Sequence, residues 1–205
     1  MSNQNGIDAK RIADAISAAE KRCGGEIVTV IAMESDPYRF IPILWSALAA
    51  LLVPIPFWLW ETGFGLFEVH ALQVLVFASL SLSLSWRPLK MLVIPKGVKQ
   101  VRARRRAREQ FLEQRLPAAR HAAGVLLFAS LAEHYVEVIA DESLMGRVAQ
   151  EEWDGIISDF TGEVRAGRIT EGFLSAIADC EQILAKLDLD PRGAPSELPN
   201  HLIEI

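Results

Sequence analysis

The chain has 205 residues, a net charge of −5 and two cysteines. Cys23 and Cys180 stand apart, outside any CxxC pair or Cys/His cluster, so the sequence contains no zinc-finger or dithiol redox motif. The mild overall acidity conceals a basic block at 87–108, which acidic residues from Glu133 onward offset. Because this block follows an apolar stretch, we interpret it as a membrane-topology signal and expect no nucleic acid as a partner.

The predicted elements begin with an amphipathic helix and a buried strand. Apolar residues recur at helical spacing from Ile7 to Arg22, and Gly24 with Gly25 is typical of a helix end. The β-branched run from Glu26 to Met33 is typical of a buried strand. One helix and one strand cannot enclose a core, so this segment needs residues from later in the chain.

Two apolar runs follow, and residues 40–95 are predicted to form a transmembrane helical hairpin. The run Phe40–Trp60 holds 21 residues without a charge. At about 1.5 Å of rise per residue, such a helix crosses the roughly 30 Å hydrocarbon core. Its three prolines are tolerated because neighbouring helices and local adjustments re-satisfy the freed carbonyls. The alternative is a buried hairpin of a soluble domain.

The second apolar run, Val69–Trp86, permits two interpretations because serines alternate through it. On a helix, Ser79 and Ser83 lie one turn apart, a small-xxx-small spacing that favours close helix association. On a strand, the same serines would form one face with a period of two. We favour the helix, since an isolated strand in lipid leaves its backbone groups unpaired.

Basic residues set the expected orientation of the hairpin. The loop Glu61–Glu68 has no Lys or Arg, whereas the chain after the second run is rich in both. The positive-inside rule then places the protein in the cytoplasmic (inner) membrane as a multi-pass protein with both termini cytoplasmic. The residues expected to lie at the membrane interface, against anionic headgroups of the lipid bilayer, are Arg87, Lys90, Lys96, Lys99, Arg102, Arg104, Arg105, Arg106 and Arg108.

The rest of the chain is predicted to complete the domain begun before the hairpin. Its expected elements are a helix from Val98, an antiparallel strand pair at Gly124–Leu131 and His134–Ala140, and two helices at Arg147–Ala166 and Thr170–Leu187, with Thr170 as N-cap. Residues 188–205, rich in proline and acidic residues, are predicted to be a flexible tail. An alternative for Ile203–Ile205 is a strand added to a sheet edge, or a carboxylate held in a groove.

Three stretches resemble the TPM domain family, known from thylakoid-lumen and bacterial membrane-associated proteins. They read IADAISAAEKRCGGEIVTVI, GVLLFASLAEHYVEVIADESL and GRITEGFLSAIADCEQIL, and the resemblance covers about residues 8–36 and 105–187. It implies an α/β fold, a mixed sheet flanked by helices on both faces. Residues 7–38 and 98–187 would then form one discontinuous cytoplasmic domain, interrupted by the two-helix transmembrane hairpin. Some members of the family are reported as acid phosphatases or calcium binders.

The candidate chemistry is sparse. There is no P-loop, GxSxG or HExxH motif, and no catalytic residue is predicted. Where metal-binding members of the family have an acidic residue before the Gly-Val-Leu strand, this chain has Ala122 and Ala123, which cannot ligate Mg²⁺ or Ca²⁺. Asp141 and Glu142 are the candidate ligands for a divalent cation; a solvated acidic face is the alternative.

These patterns predict a membrane protein whose cytoplasmic domain is a non-catalytic interaction or assembly module without a cofactor. Its expected partner is another protein, or a second copy joined through the transmembrane helices. The alternative function is that of a metal-dependent acid phosphatase using Mg²⁺ or Ca²⁺.

Overall fold

The computed structural model describes residues 7–60, 63–114, 123–144, 146–187 and 202–205. The chain divides into two compact units, one of residues 1–35 with 100–205 and the other of residues 36–99. In chain order the described elements are α1 (Ala9–Cys23), β1 (Glu26–Ala32), α2 (Phe40–Leu52), α3 (Pro54–Leu59), α4 (Leu66–Ser85), α5 (Arg87–Val93), α6 (Lys96–Glu113), β2 (Gly124–Ser130), β3 (Tyr135–Ala140), a 3₁₀ turn (Glu142–Leu144), α7 (Gln150–Arg165), α8 (Ile169–Ala185) and β4 (Ile203–Glu204).

The first unit is built on a mixed four-stranded sheet in the order β3-β2-β1-β4. β1 pairs in parallel with β2, from Glu26 opposite Gly124 to Ala32 opposite Ser130. β2 and β3 form the antiparallel pair that the sequence predicts. The fold is therefore α/β, as expected. Of its two central strands, β1 precedes the apolar hairpin in the sequence and β2 follows it.

Helices cover both faces of this sheet, which confirms the layered arrangement. On one face α1, α7 and α8 enclose the larger core, to which β1 contributes Ile27 and Ile31. On the other face α6 packs Ala107 and Phe111 over Val28, Val30 and their neighbours on β2. Because β1 alternates between two cores, all seven of its residues are buried, and only Glu26 and Thr29 among them are polar.

The start of α1 and the start of α8 are tied together, and this corrects the predicted role of Thr170. Asp8 is the N-cap of α1, where its carboxylate accepts a hydrogen bond from the Arg11 N–H at 3.0 Å. Thr170 lies inside α8, which begins at Ile169, and its Oγ1 accepts the Asp8 N–H at 3.0 Å. Thr170 therefore serves the end of another helix, a role invisible to a local capping rule.

The end of the chain also differs from the flexible tail predicted for residues 188–205. Ile203 and Glu204 form β4, parallel to β1 and opposite Val30 and Ile31. This is the strand-addition alternative, and it is stabilised because Leu202 is buried in the larger core while Ile203 and Ile205 pack on the opposite face. Residues 188–201 lie outside the described part of the chain.

The second unit contains the two apolar runs, and both are helical. The first is α2 followed by α3, with the break at Val53 directly before Pro54, where the proline ring opposes a regular turn. The second is α4, so its serines lie on a helix, and α4 packs against α2. Phe40–Leu59 and Leu66–Ser85 are each long and apolar enough to cross a membrane. The short helix α5 was not predicted.

Thr29 provides a first test of the packing in the larger unit. Its Oγ1 is fully buried in the middle of β1 and has no hydrogen-bond partner within the described residues. An unsatisfied buried hydroxyl costs about 1–3 kcal/mol, so Thr29→Val is expected to raise the free energy of unfolding by about 1 kcal/mol. Chemical denaturation in detergent measures it. The matched control is Thr161→Val, which should give no gain because the Thr161 hydroxyl donates to the Ile157 carbonyl at 2.6 Å.

Candidate interaction surface

The basic helix α6 lies on the sheet through a narrow seam of small or polar side chains. Ala103, Ala107 and Gln110 are buried, at spacings of four and three residues that place them on one helix face. Of these three, Ala107 packs in the core over the sheet, together with the partly buried Phe111. Arg104, Arg105 and Arg108 are exposed, whereas Arg102 and Arg106 are half-buried. Val101 and Leu112 are exposed on the same helix.

Beneath α6 the sheet presents a carboxylate that the sequence reasoning did not single out. Glu137 of β3 is 14% exposed, and its Oε1 lies 3.5 Å from Nε of Arg104. The Tyr135 hydroxyl donates to Oε2 of Glu137 at 3.1 Å. Burial raises the pKa of the Glu137 carboxyl, against the hydrogen bond from Tyr135 and the charges of Arg104 and Arg108. Burial also raises the pKa of Tyr135. The sequence contained one signal for this site: Glu137 is the one charged residue in the otherwise apolar strand β3.

Glu137 should make the stability of this unit depend on pH. A carboxyl whose pKa is raised on folding holds its proton more tightly in the native state, so its contribution is complete below the unfolded value of about 4.3. As pH rises through the raised native pKa, that contribution is lost. We expect the free energy of unfolding to fall over this pH range, and Glu137→Gln to remove that part of the fall.

Equilibrium denaturation between pH 4 and 8 checks this expectation, with Glu109→Gln as the control. Hydrogen bonding to Arg105 lowers the pKa of Glu109, so its contribution has the opposite sign and is lost as pH falls. A pH profile of Glu137→Gln identical to that of the unsubstituted chain would contradict the assignment.

The basic residues expected at a membrane surface fall into both units. Helix α5 carries Arg87 and Lys90, and helix α6 carries Lys96, Lys99, Arg102, Arg104, Arg105, Arg106 and Arg108. Arg105 and Arg106 both pair with Glu109, at 2.8 and 3.7 Å. Two lysines are fixed by backbone carbonyls, since Lys90 donates to Pro37 and Lys99 to Met91. Two of these arginines and two of these lysines are therefore held by contacts within their own unit.

The two candidate cation ligands lie at the end of β3 and have unequal surroundings. Asp141 is nearly buried, and its carboxylate accepts hydrogen bonds from the Gly124 N–H, the Ser143 N–H and the Ser143 hydroxyl at 3.2, 2.9 and 2.6 Å. Glu142 is exposed. Within the described ranges, no three His, Cys, Asp or Glu side chains are grouped so as to hold a metal ion. In this arrangement Asp141 fixes the 3₁₀ turn.

Substitution of these two acids should separate a structural role from a ligand role. Asp141→Ala removes an acceptor for three donors and is expected to lower the free energy of unfolding by about 1–3 kcal/mol. Glu142→Ala, the neighbouring control, should change it by less than about 0.5 kcal/mol. Thermal unfolding with and without Ca²⁺ measures both effects. Equal losses from the two variants, present only with Ca²⁺, would favour a shared cation instead.

A second polar cluster, also missed from the sequence, lies where β1 and β2 end. The Ser35 hydroxyl donates to Oγ of Ser130 at 2.7 Å, and the Ser130 hydroxyl donates to the Glu133 carboxylate. The same carboxylate accepts the Ser35 N–H at 3.1 Å. The cluster ties the segment after β1 to the β2–β3 turn, so it fixes the point at which the chain leaves the sheet.

Within the described residues, His70 and His134 belong to no group of three or more potential metal ligands. His134 adopts a left-handed φ of 49° in the β2–β3 turn. The Nδ1 atom of His70 lies 2.8 Å from the Leu66 carbonyl, within the first turns of α4. His121 lies outside the described residues. His134 therefore occupies a turn, and the His70 ring lies close to a carbonyl of its own helix.

Comparison with known proteins finds a family match for the part of the chain that forms this surface. A family model described as "TPM domain" matches residues 91–183. The matched stretch contains α6, β2, β3, α7 and most of α8, whereas α1 and β1 precede it. No curated protein shows significant similarity to the chain.

A similar solved structure is the NMR structure of the BA42 protein from the psychrophilic bacterium Bizionia argentinensis. It aligns with 100% of this chain and 99% of its own, with a TM-score of 0.59 and 16% sequence identity. At that identity the shared property is the fold. The alignment includes β1, which supports the assignment of the segment before the hairpin to the same sheet.

Proposed function

We propose, from the premise that this chain contains a TPM domain, that it is an integral membrane protein presenting the domain as a non-catalytic interaction or assembly module. The domain is discontinuous, and the apolar hairpin enters between β1 and α6. The proposed partner is another membrane protein or a second copy of this chain.

The observation that carries this proposal is the pairing of β1 with β2 along seven residues on each strand. β1 precedes both candidate spans and β2 follows both, so the two strands can meet only if the chain crosses the bilayer an even number of times. Two candidate spans satisfy this condition. The apolar surface of α4 agrees with it, because Val69 is the one residue of this helix that is buried within the described structure.

The arrangement of charge supports a cytoplasmic position for the domain in the cytoplasmic membrane, with both termini on that side. Arginine and lysine side chains line α5 and α6, directly after the second candidate span. An excess of cations beside a span is typical of the cytoplasmic side. Anionic lipid headgroups would complement the exposed arginines of α6, and the apolar stems of these side chains can lie along the interface.

Alkaline carbonate extraction tests the membrane assignment. The protein should remain in the pellet, and a reporter fused after Ile205 should report the cytoplasm. Release of the whole protein into the supernatant would contradict integral insertion.

A metal-dependent phosphatase is the second candidate, and one observation favours it. Asp141 is a nearly buried carboxylate beside Gly124, next to the position at which metal-binding members of the family have an acid and this chain has Ala123. If the first proposal holds, purified protein is inert on aryl phosphates with Mg²⁺ or Ca²⁺. Saturable activity that is lost in Asp141→Asn and in Glu142→Gln would establish the second.

A further inference from the structure

The edge of β1 that faces away from β2 is hydrogen-bonded in two places, by different parts of the chain. Near its start, the Ile27 N–H donates to the Glu20 side chain of α1 at 3.1 Å. Near its end, β1 pairs with β4. The Ile205 N–H donates to the Ile31 carbonyl at 2.9 Å, and the Met33 N–H donates to the Ile205 carbonyl at 3.1 Å. The second half of this edge therefore accepts an extended segment running parallel to β1.

The segment that fills this edge fits it through side chains as well as backbone. Leu202 is 5% exposed and belongs to the core beneath α1 and α8. Ile203 and Ile205 pack on the opposite face, against the core beneath α6. A strand with apolar residues on both faces at these positions completes both cores. An empty edge would leave both cores open to water.

The connection between this segment and the rest of the domain is long for a strand of two residues. Between Leu187, just after α8, and Leu202 lie residues 188–201, which include Pro191, Pro195 and Pro199. Fourteen residues span up to roughly 46 Å when extended, so a segment tethered in this way has the reach to occupy the edge of a neighbouring molecule.

We infer that the β1 edge is a strand-accepting groove and that residues 202–205 of one copy fill the groove of a second copy. Each chain carries both the donor strand and the acceptor edge, so a reciprocal exchange between two copies is closed and symmetric. It forms the same contacts as the intramolecular arrangement, because the groove is fitted to this sequence. Confinement to a membrane, which rests on the proposed function, raises the local concentration that favours exchange.

Disulfide trapping between differently tagged copies tests the inference. Val30→Cys marks the acceptor edge and Ile203→Cys the donor strand, and the two positions are register partners. When the two single variants are co-produced and oxidised in native membranes, we expect a covalent dimer that carries both tags. Val28→Cys with Ile203→Cys is the matched control and should give none, because Val28 lies on the same face outside the β4 pairing.

A chain carrying both substitutions, Val30→Cys and Ile203→Cys, tests whether the segment pairs within its own molecule. If it forms an internal disulfide while the mixed single variants form no covalent dimer, the segment stays within its own molecule and the inference is overturned. The pair Ile31→Cys and Glu204→Cys repeats the test from the other face. Absence of every cross-link in both designs also overturns it. Carbonate extraction of the same membranes reports separately on the proposed function.

Discussion

Replacing Phe173 by alanine is expected to lower the free energy of unfolding by about 3–5 kcal/mol. Phe173 is fully buried on α8, in the core that joins α1, α7 and the sheet. Its ring meets that of Phe160 edge to face, with ring centroids 4.8 Å apart. Removing it creates a cavity and also breaks this aromatic pair, and both losses act on the contact between α7 and α8.

The matched control is Phe67→Ala at the start of α4. Phe67 is 85% exposed within the structure, so its removal leaves no cavity. Chemical denaturation in detergent, followed by circular dichroism, should show the loss for Phe173→Ala and almost none for Phe67→Ala. Similar midpoints for both variants would mean that α8 does not close the core as described.

The second large effect concerns Leu75, near the middle of α4 and 62% exposed. In water, an exposed leucine on a helix tolerates arginine with little change in stability. At the centre of a bilayer-spanning helix, arginine costs about 2.5–3.5 kcal/mol of insertion free energy. Leu75→Arg should therefore move a large share of the protein from the carbonate-resistant pellet to the soluble or degraded fraction.

Leu66→Arg is the control, since Leu66 is 80% exposed in the first turn of α4, where a long cationic side chain reaches the interface. Quantitative immunoblotting of the two fractions gives the ratio for each variant. If both arginines leave the protein equally well inserted, α4 does not lie across the hydrocarbon core.

Local patterns in the sequence were sufficient for most elements of the fold. The helical spacing before Cys23 and the capping glycine predict α1, and Gly24 indeed adopts a left-handed φ of 68° where its N–H bonds to the Glu20 carbonyl. The alternation of Tyr135, Glu137 and Ile139 predicts the two faces of β3. In these cases the periodicity of a single segment decides which side chains are buried.

What the sequence could not supply depends on partners distant along the chain. Thr170 has the composition of an N-cap, but the N–H that it accepts belongs to Asp8, 162 positions away. The segment Leu202–Ile205 is short and follows a proline-rich stretch, so its local pattern allowed an edge strand but could not identify β1 as the partner. Glu137 is a lone charge in β3, but its burial and its contact with Arg104 depend on the position of α6, which the sequence of β3 does not specify.

Cysteine accessibility tests the central claim most directly, that the chain before and after the hairpin lies on one side of the membrane. Single substitutions Lys10→Cys, Gly63→Cys and Glu151→Cys would be treated in intact cells with a membrane-impermeant maleimide, on a background whose Cys23 and Cys180 are buried. The account predicts labelling of Gly63→Cys alone until the cells are permeabilised, after which Lys10→Cys and Glu151→Cys react as well. Labelling of Lys10→Cys but not Glu151→Cys in intact cells, or the reverse, would contradict it.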